Sequence, residues 1–467
     1  MKTILAGGTV VTMRNDQLAV LENQSIVIED GVIREITDTD AITPPHRAAT
    51  VRERSEPSAT AEVQVIDASG HLVTPGFVNA HHHLYQSLTR GLVGVQNAAL
   101  FDWLRALYPE WRHLDHDAVK TAAMVSIGEL LLSGCTTTND HFYIFPRGGD
   151  ARIESVLEAA DALGMRIHAC RGSMSVGTSD GGLPPDDCTQ PEDEILDDCA
   201  RVIEAYHDPD PYAMVRIDLA PCSPFSISPQ LLRDTLALAR EKGVLLHTHA
   251  AETMDEDRYC LEKFGLRPIP FLHEHDWLGR DVYLAHCVHL DDADINLLAE
   301  TGTSVAHCPC SNMRLGSGIA RIARMLEKGI TVGIGVDGSS SNDGGNVLAE
   351  ARQALLLQRV HGGPAALSTA QAFGLLTVGG AALFSRAKLG RIEPGMAADL
   401  ALFRADDIAF AGAVAQDPLG ALMLCHAPRA DRVIVNGRTV VKDGHLANAD
   451  EHKLAHELNT IVRERFR

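Results

Sequence analysis

The chain has 467 residues, 45% of them hydrophobic and 5% aromatic, with a formal net charge of −21. Its length accommodates one large domain and a small one around an ample core. The acidity argues against a phosphate-backbone partner, which calls for a basic footprint, and fits a small uncharged or cationic substrate. Solubility alone accounts for an acidic surface equally well. No apolar stretch reaches the length of a membrane span, and the run after Met1 and Lys2 is too short for a secretory signal. Ten cysteines, none in a C-x-x-C pair and several inside apolar runs, read as reduced thiols of a cytoplasmic protein.

Residues 1–70 read as short strands at Thr9–Val11, Ser25–Ile28 and Val32–Ile36, with Asp30-Gly31 marking a hairpin. The stretch 41–61, rich in Pro, Ala, Ser and Arg, reads as a surface loop. Over 71–387, strands and amphipathic helices alternate, as a parallel (β/α)8 barrel requires. The strand-like runs end at His83, His141, Arg171, Cys222, His249, His286, Cys308 and Asp337, and helices are expected at Ala118–Leu132, Ile153–Leu163 and Pro229–Lys242. Eight such runs close a TIM barrel; a doubly wound sheet lacks its Gly-rich loop after the first strand. Residues 388–467 return to the style of the N-terminus, with Asp399–Phe403, Arg432–Val435, an Asn436-Gly437 turn, Thr439–Val441 and Asp443-Gly444, before a terminal helix. The expected architecture is α/β: a TIM barrel with a small β-sandwich built from both chain termini.

The chemistry-bearing side chains fall at the C-terminal ends of these strands, the face on which such barrels build their sites. Residues two apart on a strand face the same way, so His81 and His83 point together into the mouth and His82 points out. A His-x-His at a strand end, beside Pro75-Gly76 and Asn79, suits a ligand pair better than two satisfied core histidines. His247 and His249 also share a face; strand-end position favours His249, but spacing alone leaves both open. Glu252 is either a solvated loop carboxylate or an acid/base catalyst, and the surrounding histidines favour the catalyst. Asp337 either caps the next helix or ligates a metal; we favour a ligand that also accepts the proton of water. Three imidazoles and a carboxylate suit a divalent transition metal such as zinc or iron. Gln86, Trp103, Arg171 and Cys222 lie on loops or strand ends facing the mouth and are the expected substrate contacts. Loop packing is the alternative for Trp103, and a core position for Cys222.

These residues resemble the amidohydrolase superfamily, in its aminohydrolase branch of cytosine- and guanine-deaminase-like enzymes. The likeness runs from Pro75-Gly76-Phe77-Val78-Asn79-Ala80-His81 to Pro394-Gly395-Met396-Ala397-Ala398-Asp399-Leu400, nearly the whole chain. It implies that His81, His83, His249 and Asp337 hold one divalent metal, zinc ahead of iron. It further implies that His286 meets the attacking water or a substrate oxygen and that Glu252 shuttles the proton. Members with two metals use a bridging lysine or carboxylate at a middle strand end. Cys170-Arg171 and Pro221-Cys222-Ser223-Pro224 offer neither, so a single metal is expected. Barrels of this branch are commonly homo-oligomers.

Within the branch, His81–Arg90, Gln96–Leu104, Arg171–Ser175 and Gly181–Asp186 resemble the bacterial deaminases that convert 8-oxoguanine to urate and ammonia. The alternatives are deaminases of isoxanthopterin, other pterins or guanine, and hydroxytriazine amino- or chlorohydrolases. Metal ligands do not separate these, because all share them. Outside catalysis stands an inactive barrel scaffold, but such relatives usually lose ligands, and here every expected ligand is present.

Overall fold

The computed structural model describes residues 2–15, 17–41 and 63–466; the expected surface loop, from residue 42 onward, lies outside them. Strands β1 (Lys2–Arg14), β2 (Gln17–Glu29) and β3 (Val32–Asp38) form an antiparallel meander. Asp30 and Gly31 turn β2 into β3 with φ of 51° and 77°, the left-handed pair that a two-residue hairpin demands. β4 (Val63–Asp67) and β5 (His71–Pro75) both run parallel to β1.

The barrel strands follow in order around one parallel sheet: β6 (Phe77–Asn79), β7 (Cys135–Phe142), β8 (Arg166–Ser173), β9 (Val215–Pro221), β10 (Leu246–Ala250), β11 (Val282–His286), β12 (Ser304–His307) and β13 (Val332–Ile334). Helices His116–Leu132, Ile153–Leu163 and Pro229–Lys242 occupy the three expected stretches. The ring closes between its first and last strands. The Ala80 N–H donates to the Ile334 carbonyl at 2.7 Å, and the Asp337 N–H to the His81 carbonyl at 3.0 Å. Asn79 stitches the same seam, donating to Thr138 Oγ1 at 3.0 Å while its Oδ1 accepts the Val336 N–H at 2.9 Å. Closure therefore sets His81 directly beside Asp337.

The chain then returns to the first sheet with β14 (Leu400–Arg404), β15 (Arg432–Val435), β16 (Arg438–Lys442) and β17 (His445–Leu446). β14 pairs antiparallel with β5, from Leu400 opposite Pro75 to Arg404 opposite His71. One mostly antiparallel nine-stranded sheet thus draws on both termini. Leu5, Val10, Ile26 and Ile33 share its core with Leu400, Leu402 and Ile434. The closing helix Glu451–Arg465 packs on the barrel helix His116–Leu132.

The apolar run from Leu72 to Ala80 is two strands rather than one. β5 belongs to the terminal sheet and β6 to the barrel, and both are buried throughout or nearly so, which hides the break. Gly76 makes the crossing possible: a Cβ there would lie 2.1 Å from Thr136 Oγ1. At the barrel base, Arg166 joins the two units. Its Nε and Nη2 donate to the two oxygens of Asp399 at 2.9 Å each, and Asp399 also accepts the Asn436 N–H at 2.7 Å. Among the described residues no helix is long and apolar enough to cross a membrane. All ten cysteines are free.

Candidate active site

Four strand ends bring one cluster together. His81 and His83 follow β6, His249 ends β10, His286 ends β11 and Asp337 follows β13. The ligand atoms of His81, His83 and His249 all lie within 4.8 Å of one another, as do those of His81, His286 and Asp337. His83 Nε2 sits 3.1 Å from His249 Nε2, and Asp337 Oδ1 sits 3.4 Å from Nε2 of both His81 and His83. Lone pairs at such spacing repel one another unless a proton or a cation lies between them.

Hydrogen bonds at the far side of each ring fix which nitrogen faces inward. His83 Nδ1 meets the His141 carbonyl at 2.7 Å, and His249 Nδ1 meets the Cys222 carbonyl at 2.6 Å. A carbonyl accepts only, so each Nδ1 carries the hydrogen and each Nε2 presents a lone pair. His286 Nδ1 meets Asn312 Oδ1 at 2.9 Å, the amide being oriented to accept. His81 differs: its Nδ1 contacts Nε2 of His247 at 2.8 Å, and His247 Nδ1 meets the Tyr283 carbonyl at 2.8 Å. His81 Nε2 is fully buried and has no hydrogen-bond partner. A buried nitrogen with an unused lone pair, beside two more and a carboxylate, is a donor set for a divalent metal.

The same residues distort the local backbone. Ala251, His286, Cys287 and Asp337 have φ of 53°, 71°, 49° and 63°. Left-handed backbone outside glycine costs about 1–3 kcal/mol each, and such costs gather at functional sites. Burial would raise Asp337, but His81, His286 and His83 outweigh it and hold its carboxyl well below the usual range. Burial drives His81 and His249 well below ordinary imidazole values and takes His247 down to about 3, so these rings stay neutral.

Glu252 has the opposite environment. It is 4% exposed, and its Oε2 lies 3.6 Å from His286 Nε2. Burial first, then the charge of Asp337, lifts its carboxyl to about 7, with His286 opposing. Two carboxyl groups in one site with shifts of opposite sign are the arrangement needed to hold one proton and release another. Glu256, which the sequence did not single out, fixes the turn. Its two oxygens accept the N–H groups of Ala251 at 3.0 Å and Glu252 at 2.8 Å.

A small cavity lies over this cluster, lined by His83, His249, Glu252, His286 and Asp337 on its polar side. Gln86, Trp103 and Cys222 all line it. Gln86 Oε1 is buried without a partner, Trp103 Nε1 donates to the Ser340 carbonyl at 3.2 Å, and burial pushes the Cys222 thiol up to about 12. Arg171 is not brought to the cavity. Its Nε donates to Asp198 at 2.6 Å, Nη2 to Gln190 at 2.9 Å and Nη1 to the Gly172 carbonyl, with the guanidinium 3.8 Å above the Phe145 ring. Arg171, expected as a substrate contact, is instead held by Asp198, Gln190 and the Gly172 carbonyl and does not line this cavity. The helix Leu100–Trp111 contributes Leu100, Leu104 and Tyr108 to the wall, joined by Tyr143, Phe225 and Leu315. Apolar and aromatic residues of that kind read as core in a sequence.

The amidohydrolase family profile matches residues 72–442. The 8-oxoguanine deaminase of Pseudomonas aeruginosa is 45% identical over 425 residues, covering 91% of each chain. An isoxanthopterin deaminase from an unknown prokaryotic organism is 37% identical, over 86% of this chain and 87% of that one. An atrazine chlorohydrolase from Arthrobacter aurescens TC1, solved with zinc, superposes with a TM-score of 0.90 at 31% identity, over 98% of this chain and all of that one. Fold, donor set and likeness agree, and the chain belongs to the amidohydrolase family.

Proposed function

We propose that the chain is a metal-dependent hydrolytic deaminase of an aminated heterocycle, with 8-oxoguanine as its substrate and urate and ammonia as products. The observation that carries the reaction type is Glu252: a buried carboxyl lifted to about 7, 3.6 Å from His286, at the wall of a cavity beside the histidine cluster. The choice of 8-oxoguanine rests on the 45% identity with the Pseudomonas aeruginosa deaminase.

His81, His83, His249 and Asp337 would hold the metal, zinc in the first place. The unpartnered buried Nε2 of His81 and the inward lone pairs of His83 and His249 fit such an ion. When bound, it supplies Lewis acidity that makes water nucleophilic at neutral pH. Asp337 would take up the first proton of the water at a carboxylate oxygen, with His286 Nε2 contacting and orienting that water. Attack falls on C2 of the purine. Glu252 delivers its proton to the adjacent ring nitrogen and regains one from the new C2 hydroxyl, while the proton taken up by Asp337 leaves on the C2 amine as ammonia. One water enters and one ammonia departs, so 8-oxoguanine gives urate without a further reactant. Gln86, Trp103 and Cys222, which line the cavity, would border the ring. Ten free thiols, eight of them buried, support the reading of a cytoplasmic enzyme.

The test is the purified zinc-loaded protein with 8-oxoguanine, following urate, with guanine and isoxanthopterin in parallel. Preference for 8-oxoguanine, abolished in Glu252→Gln, supports both substrate and proton shuttle. Faster turnover of another heterocycle overturns the substrate, and zinc binding with no turnover overturns the enzyme.

A further inference from the structure

His247 touches the cluster through His81, yet it is not among the residues that line the cavity. It lies on β10, two residues before His249, fully buried. Its Nδ1 must donate to the Tyr283 carbonyl, 2.8 Å away, because that oxygen only accepts. Its Nε2 is therefore an acceptor, and the 2.8 Å contact with His81 Nδ1 is an N–H···N bond donated by His81. With Nδ1 protonated, His81 has its lone pair on Nε2, the buried atom without a partner.

We infer that His247 is a positioning residue that fixes the tautomer and ring orientation of His81 and thereby sets the metal affinity of the site. This rests on the reading of His81, His83, His249 and Asp337 as a metal site. For three of the four inward-facing imidazoles the outer partner is a carbonyl, from the backbone or an amide; only His81 relies on a second ring. That ring is itself held. Its plane stacks on Tyr283 with centroids 4.0 Å apart and 13° between planes. The Tyr283 hydroxyl donates to Asp218 at 2.9 Å, and Asp218 pairs with His168 Nδ1 at 3.0 Å. A column of polar side chains thus runs down the barrel interior, where apolar layers normally pack, and it ends on His81. Outer partners of this kind raise ligand basicity and keep the ring aligned.

His81, His141 and His247 also bring three nitrogens within 4.8 Å, so an inner ion would make His247 a ligand. The two roles give different substitution patterns. His247→Phe keeps the volume and the stack on Tyr283 but removes the acceptor. His247→Gln keeps an acceptor oxygen near the former Nε2.

The measurement is zinc affinity by chelator competition, with metal content per chain, for the parent protein and both variants. A positioning role predicts a loss of roughly 10–100-fold in His247→Phe and recovery of most of it in His247→Gln. Parent-like affinity in His247→Phe overturns the inference. Equal and complete loss in both variants also overturns it, by making His247 a ligand. Should His247→Phe fail to fold, His247→Asn, whose shorter amide cannot reach His81, is expected to show the loss instead, and parent-like affinity there is equally fatal. A parent protein that binds no zinc would sink the reading of the site itself, which these arms keep separate.

Discussion

The two ends of the barrel carry buried charge in opposite ways. At the base, Asp399 accepts two guanidinium bonds from Arg166 and one from the Asn436 N–H, and Arg166 Nη1 is held by the Tyr212 and Ala213 carbonyls. At the mouth, His81 Nε2 and Gln86 Oε1 have no partner, and four non-glycine residues take left-handed backbone. The base spends its polar groups on one another; the mouth leaves them unspent and strained. A satisfied buried pair holds two units together, whereas unsatisfied groups at a cavity are available to something that enters it.

Breaking each end in turn gives the sharpest contrast. Glu252→Gln is expected to lower the rate of urate formation by about 10²–10⁴-fold while leaving zinc content and the melting temperature essentially intact. Steady-state assays beside metal analysis and thermal melts check it. Asp399→Ala does the reverse: it leaves Arg166 buried without its partner and should destabilise by about 3–5 kcal/mol, read in urea melts. Activity per folded molecule should not change; a loss of turnover in the folded fraction would refute the division of labour. Arg171→Met removes several satisfied donors outside the cavity, so stability should fall by roughly 1–3 kcal/mol while KM for 8-oxoguanine stays put.

The smallest effect concerns His82, which sits between two proposed ligands yet has no partner on either nitrogen. Burial takes it from 6.5 down to about 3. The unfolded chain then binds a proton below 6.5 that the folded chain refuses, so this group's contribution to stability is present above 6.5 and lost as pH falls. His82→Leu is expected to gain on the parent by about 1.4 kcal/mol for each pH unit below that point, and to show no pH-linked gain above it. Denaturant melts of the metal-free proteins on both sides of 6.5 check the slope.

Much of the site was legible because a strand has a period of two and a parallel barrel puts one end of every strand on one face. His81 with His83, His249, His286 and Asp337 announce themselves by that rule. His247 obeys it as well, and what separates it from His249 is the atom its Nε2 meets, His81 Nδ1 rather than His83 Nε2, which sequence spacing does not report. The partners of Arg171 were out of reach for a related reason, since Asp198 and Gln190 meet it through a helix and a loop whose approach no local pattern reports. The cavity wall stayed hidden because Leu104, Tyr108 and Phe225 would be apolar in a core as readily as in a pocket. The turns Asp30-Gly31 and Asn436-Gly437 were plain, their residue types being what left-handed backbone selects. The break at Gly76 was invisible, since hydrophobicity runs straight across it.

That break has a consequence for biosynthesis. β5 pairs with β14, so Pro75 finds Leu400 only after the ribosome has made nearly all of the chain. One glycine separates β5 from the strand that carries His81 and His83. A nascent or truncated chain lacking Leu400 leaves the edge of β5 open next to the segment that carries His81 and His83. That edge is covered late, when some of the last-made strands pair with one of the first.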